Sequence, residues 1–150
     1  MPLSLKERAV QYIKDGTFTC VVVREGEILT TSTQRGITPL IDFNDSDPEI
    51  LRSSSVYDKI IGKAAAMIAV NCKASYVYGL VMSEEAHSLL VDSGITAEFG
   101  EKVRMIVNRE NTGMCPIEDS VKDIDDIKTG VKAIRARVNL LMKKSPSNNK

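Results

Sequence analysis

The hydrophobic pattern divides the chain into alternating helical and extended segments. From Leu3 to Lys14, Leu5, Ala9 and Ile13 recur at intervals of four, the spacing of one helix face, with Ser4 as N-cap and Gly16 as stop. Thr17 to Val23 is β-branched and apolar. After the polar turn at 24–27 a second such run covers Ile28 to Ser32, so the two predict a hairpin. Thr33 to Ser54, punctuated by Gly36, Pro39, Asn44 and Pro48, predicts a long irregular stretch with a helical turn at 47–51. The spacing predicts a second helix over 55–71, almost continuously apolar from Ile60 and therefore buried on most sides. Ser75 to Met82 is an unbroken apolar run that predicts a central strand covered on both faces.

Ser83 then caps a third helix with Ala86, Leu89 and Leu90 inward and Gly94 as its end, and 95–99 suits a fourth strand. Residues 103–107 fit either periodicity. A polar loop over 108–114 leads to a helix start at Cys115-Pro116. The last helix, over 124–142, carries Ile124, Ile127, Val131, Ile134, Val138 and Leu141 at intervals of 3-4-3-4-3. That stripe packs on the chain's own sheet or forms a dimer seam. Strands interleaved with helices predict an α/β protein, a three-layer α/β/α arrangement with a mixed sheet of about 4–5 strands. Residues 1–144 are read as one domain and 145–150 as a disordered polar tail.

Charge and composition narrow the function classes. Lys plus Arg equals Asp plus Glu, 20 each, and this balance speaks against nucleic acid or a membrane surface as partner. No run approaches the roughly 18 apolar residues of a spanning helix. The N-terminus lacks the apolar core of a signal peptide, so the expected location is cytoplasmic. Cys20, Cys72 and Cys115 are an odd, widely spaced set without C-x-x-C and read as free thiols, while the lone His87 reads as exposed. One histidine and three scattered cysteines are a poor ligand set for zinc, and no metal or other cofactor is expected.

The chemistry with the clearest pattern is electrostatic. In the predicted second helix Lys59 and Lys63 share a face within the first turns, where the macrodipole disfavours cations by about 0.3–1 kcal/mol each. Ser54 and Ser55 add hydroxyls, Asp58 a carboxylate, and the first turn adds free N–H groups, so the arrangement could hold a small phosphate- or carboxylate-bearing, nucleotide-like anion. An internal carboxylate on Lys63, or lysine stems reaching to water, would serve equally. Ser83, Glu84 and Glu85 open the third helix and could face the same crevice, either binding a base or sugar or merely capping. In the polar loop, which also brings Asn108 as a ligand-binding candidate, Arg109 could fork onto a phosphate. Cys115 at a helix start could be an activated thiol or a packed one.

The element order resembles the cytidine-deaminase-like fold. It is closest to an uncharacterised family of small bacterial and archaeal proteins with that fold. Two segments carry the likeness, Asp58-Lys59-Ile60-Ile61-Gly62-Lys63-Ala64-Ala65-Ala66 and Asn108-Arg109-Glu110-Asn111-Thr112-Gly113-Met114-Cys115-Pro116-Ile117-Glu118. Deaminases of this type hold zinc through His-x-Glu or Cys-x-Glu at the second helix and Pro-Cys-x-x-Cys at the third. This chain has Asp58-Lys59 and Met82-Ser83-Glu84-Glu85 instead, so the resemblance implies the fold without the zinc-dependent hydrolysis. Two other readings stand beside the anion site, a homo-oligomeric interaction module and an enzyme of unknown class using Lys63 or Cys115.

Overall fold

A computed structural model describes residues 3–108 and 110–144. The first helix, α1 (Leu5–Asp15), begins where the pattern places it. Ser4 and Glu7 form a reciprocal capping box, and Gly16 ends the helix at φ 82°. The Ser4 hydroxyl accepts the orphan Glu7 N–H of the first turn, so Ser4→Ala is expected to cost about 1 kcal/mol in denaturant unfolding. β1 (Cys20–Arg24) and β2 (Glu27–Ser32) form the hairpin, joined by Glu25 and Gly26, both at positive φ. Two consecutive left-handed residues match the right-handed twist of the flanking strands.

Two predicted stretches resolve differently. Residues 38–46, read as irregular, form the helix α2 (Thr38–Ser46), with Pro39 in its first turn and Pro39, Leu40 and Ile41 buried. A 3-10 turn follows at Pro48–Ile50. The predicted helix over 55–71 is two elements: strand β3 (Ser55–Ile61), then helix α3 (Lys63–Asn71), with Gly62 between them in extended backbone. Val56, Tyr57, Ile60 and Ile61 favour a strand, but their continuity with the apolar helix behind them hid the boundary.

β4 (Tyr76–Ser83), α4 (Glu84–Asp92) and β5 (Thr96–Val103) follow, and β5 runs four residues beyond the predicted strand. A one-turn helix, α5 (Pro116–Asp119), precedes α6 (Ile127–Lys144). The predicted tail over 145–150 lies outside the described residues.

The sheet order is β2-β1-β3-β4-β5. β1 pairs antiparallel with β2 and β3, whereas β3, β4 and β5 are parallel. α1 covers one face, over Val21, Val23, Tyr57 and Tyr78. The larger core lies on the other face, where α2, α3, α4 and α6 pack around Met67, Ile68, Leu90 and Ile134. The mixed five-stranded sheet with helices on both sides is the predicted three-layer arrangement. α6 does not lie on the sheet but against α3: Val131, Ile134 and Val138 are buried, and a Cβ on Gly130 would collide with Met67 Sδ. The stripe's centre is therefore used within the chain.

Two consequences matter for the site. The C-terminal ends of β3 and β4 deliver the N-termini of α3 and α4 to the same end of the sheet, a usual place for ligands in parallel α/β sheets. β2 ends there as well, since Ser32 and Asp58 both pair with Cys20.

Candidate functional site

Lys63 is the first residue of α3 and only 5% exposed. Its Nζ lies 3.5 Å from Glu85 Oε2 and 3.5 Å from the Lys122 carbonyl. Both contacts are long for hydrogen bonds, whose usual N···O range is about 2.7–3.2 Å, and an ammonium has three protons to place. The orphan amides of α3 are met by a residue from a distant element. Glu118, on α5, accepts the Lys63 N–H at 2.8 Å and the Ala64 N–H at 2.9 Å, one on each carboxylate oxygen. Gly62 makes this possible: a Cβ there would fall 2.5 Å from both Glu118 oxygens. Burial raises the Glu118 carboxyl above its ordinary range, the two amides pull it back, Glu85 adds to the rise and Lys63 opposes it.

α5 is held in turn by α6. Arg137 donates to the Pro116 carbonyl at 2.6 Å and reaches Asp119 Oδ2 at 3.5 Å. Beside Glu118 lies a cavity of about 30 Å³, lined by Ser83, Glu85, Arg104, Lys122 and the Ile106 and Met114 side chains. That is room for about one water molecule.

The predicted site residues fall into separate groups. Ser83 and Glu85 line this crevice and Lys63 joins them through Glu85; Ser83 is buried and its Oγ accepts the Ala86 N–H at 3.1 Å, as an N-cap. Glu84 is exposed beside it. Lys59 is not a helix residue: it lies exposed near the end of β3 and shares no helix face with Lys63. Lys59→Ala is accordingly expected to change unfolding free energy by less than about 0.5 kcal/mol. Ser54 and Ser55 stand at the opposite end of β3, with Ser54 Oγ donating to the Ile50 carbonyl at 2.7 Å, so they contribute nothing to the α3 N-terminus.

Asp58 is in mid-strand and 5% exposed. Its Oδ1 accepts the Lys59 N–H at 2.7 Å and the Ile60 N–H at 3.4 Å, while Oδ2 is buried without a partner among the described residues. Burial pushes its pKa up to about 7, against the pull of those amides and of the neighbouring Cys20 thiol. Cys20, buried beside that carboxylate, is raised in its turn.

Asn108 closes its own loop, accepting the Thr112 N–H at 3.0 Å and donating to Thr112 Oγ1 at 3.1 Å, so its amide is committed locally. Arg109 lies outside the described residues. Cys115 is half-buried and precedes a helix of four residues, too short for a developed macrodipole. His87 is half-buried rather than exposed, its ring edge-on to Phe99 at 5.5 Å. Sequence reasoning missed Glu118 as a site residue. Its partner amides are 54 and 55 residues away, and only its place in the second resemblance segment marked it.

Among the described residues, no three His, Cys, Asp or Glu side chains converge as a metal-holding group. The crevice is lined by Ser83, Glu85, Glu118, Arg104 and Lys122, with the Lys63 ammonium against Glu85. Lys63 opens α3, and a donor set with no histidine or cysteine does not fit zinc.

The fold and crevice define an α/β protein with a mixed five-stranded sheet whose third helix begins on an internal carboxylate. A family model described as "TM1506: Domain of unknown function (DUF1893)" matches residues 8–138, and the chain belongs to that family. A crystal structure of the DUF1893 family protein TM1506 from Thermotoga maritima matches with a TM-score of 0.80 at 23% identity, covering 91% of this chain and 92% of that one. A dCMP deaminase from the cyanophage S-TIM5 matches at a TM-score of 0.49 and 16% identity, over 66% of this chain and 99% of that one. No curated protein matches the sequence. Among the described residues, no helix is long and apolar enough to cross a membrane.

Proposed function

We propose that this protein binds a small phosphate-bearing or carboxylate-bearing molecule, nucleotide-like in character, at the N-terminus of α3, and that Glu118 is the exchangeable occupant of that seat. The observation that carries the reading is the convergence of two backbone amides on one carboxylate, in a space that only a glycine at 62 leaves open. A seat for a carboxylate is a seat for a phosphate oxygen, because the donors and the dipole are the same. The buried Lys63 ammonium supports the same reading, since its two contacts are both at the long limit and a ligand oxygen could approach more closely. Glu118 comes from a one-turn element and its carboxyl is already made costlier to ionise by burial, so exchange requires α5 to shift rather than the core to open.

Calorimetric titration with inorganic phosphate and a nucleoside monophosphate tests this in the wild type and in Glu118→Ala. The variant is expected to bind at least about tenfold more tightly, a gain of about 1.4 kcal/mol from the vacated seat. Ligand at a hundredfold excess over its dissociation constant should also stabilise the variant by about 2.7 kcal/mol in thermal unfolding. A folded Glu118→Ala protein that binds neither probe would overturn the reading.

A further inference from the structure

A second cavity has no part in the crevice. It is an open groove of about 370 Å³ between the end of β2 and one face of α2. One wall is Thr31, Ser32, Thr33 and Gln34; the other is Pro39, Asp42 and Phe43, at helix spacing i, i+3 and i+4. We infer that this groove is a binding site for an uncharged polyhydroxyl molecule, a monosaccharide being the simplest.

The strand wall is held in place through its main chain. Thr19 Oγ1 donates to the Gln34 carbonyl at 2.6 Å, the Ser32 carbonyl accepts the Thr19 N–H at 2.8 Å, and Ser32 Oγ accepts the Gln34 N–H at 3.0 Å. Those bonds fix the curl of 32–34 while using none of the side-chain polar atoms of Thr31, Thr33 or Gln34. These two hydroxyls and one amide meet no protein partner among the described residues, so they supply paired donors and acceptors of the kind vicinal hydroxyls match.

The helix wall is equally set. Arg135 of α6 binds Asp45 and reaches Asp42 Oδ1 at 3.3 Å, which fixes the rotation of α2 and leaves Asp42 Oδ2 as an acceptor. Phe43 is half-buried against the core and gives the groove an aromatic surface for the C–H face of a ring. Among the described residues no basic side chain lines the groove and one carboxylate does, so an anion is disfavoured here. The volume lies within the span of small-molecule sites, about 300–1,000 Å³.

Amide NMR titration with ribose, glucose and glycerol, and with inorganic phosphate as the anionic control, tests the inference. A sugar is expected to give saturable shifts confined to residues 31–34 and 39–43, and phosphate none there. Phe43→Ala should weaken the sugar about tenfold or more. Gln34→Ala, at an exposed position, should weaken it without touching the core. Glu118→Ala should leave it unchanged, which separates this site from the anion seat. No saturable shift with any of the three polyols, phosphate shifts in the groove, or sugar shifts unaltered in both groove variants would each overturn it.

Discussion

Asp58→Asn is expected to stabilise the protein above neutral pH and to do little in acid. Asp58 is buried, its Oδ2 has no partner among the described residues, and its pKa is pushed up to about 7 from an ordinary 3.8. A carboxyl whose folded-state pKa lies above its unfolded value binds its proton more tightly in the folded protein. Its contribution is complete below the unfolded pKa and is lost as pH rises through about 7. Three units at 1.36 kcal/mol each set the scale at about 4 kcal/mol. The carboxamide carries no charge to desolvate and its oxygen can keep the Lys59 N–H. Urea unfolding from pH 4 to pH 8 should therefore give curves for the two proteins that agree near pH 4 and diverge by on the order of 3 kcal/mol at pH 8, with the variant more stable. A constant difference across that range would contradict this account of Asp58. The burial of Glu118 gives both proteins a slope of the same sign, so the difference between the curves isolates Asp58.

Ile134→Ala is expected to be among the most destabilising single changes in α6. The side chain is fully buried at the contact between α6 and α3, within the larger core. Truncating a buried isoleucine costs about 2–5 kcal/mol, from lost transfer energy and the cavity left behind. The loss should register in the denaturant midpoint of dilute protein and be independent of protein concentration, because the stripe is buried within one chain. A concentration-dependent loss would show that the stripe is instead shared between two copies.

These two residues mark the limits of what the sequence disclosed. The α6 stripe was legible because its repeat is long and regular; its partner was not, since periodicity names a buried face and not the surface that buries it. The layer order and the hairpin were legible from runs and turn residues of ordinary kind. β3 was hidden because Ile60 and Ile61 run into the apolar α3 across Gly62, with Asp58 interrupting the strand's alternation. α2 was hidden because Pro39, which starts the helix, was read as a breaker. Those errors moved Lys59 onto a helix face it does not share and placed Ser54 and Ser55 at a helix N-terminus, when they stand where β3 begins. Lys63, Ser83 and Glu85 are brought together because each lies at a true helix start. Glu118 was illegible for a different reason: a cap supplied from 55 positions away leaves no local pattern.

We propose that α3 begins on an anion seat that Glu118 fills. The most direct test combines two changes at the same point, because a Cβ at position 62 would occupy the space of the Glu118 carboxylate. Phosphate affinity is measured by calorimetry in wild type, in Glu118→Ala, and in the double variant Glu118→Ala with Gly62→Ala, each checked for folding. The expected order is weak binding, stronger binding, and none. Equal affinity in the single and double variants would contradict the claim, since phosphate would then be bound somewhere other than the first amides of α3.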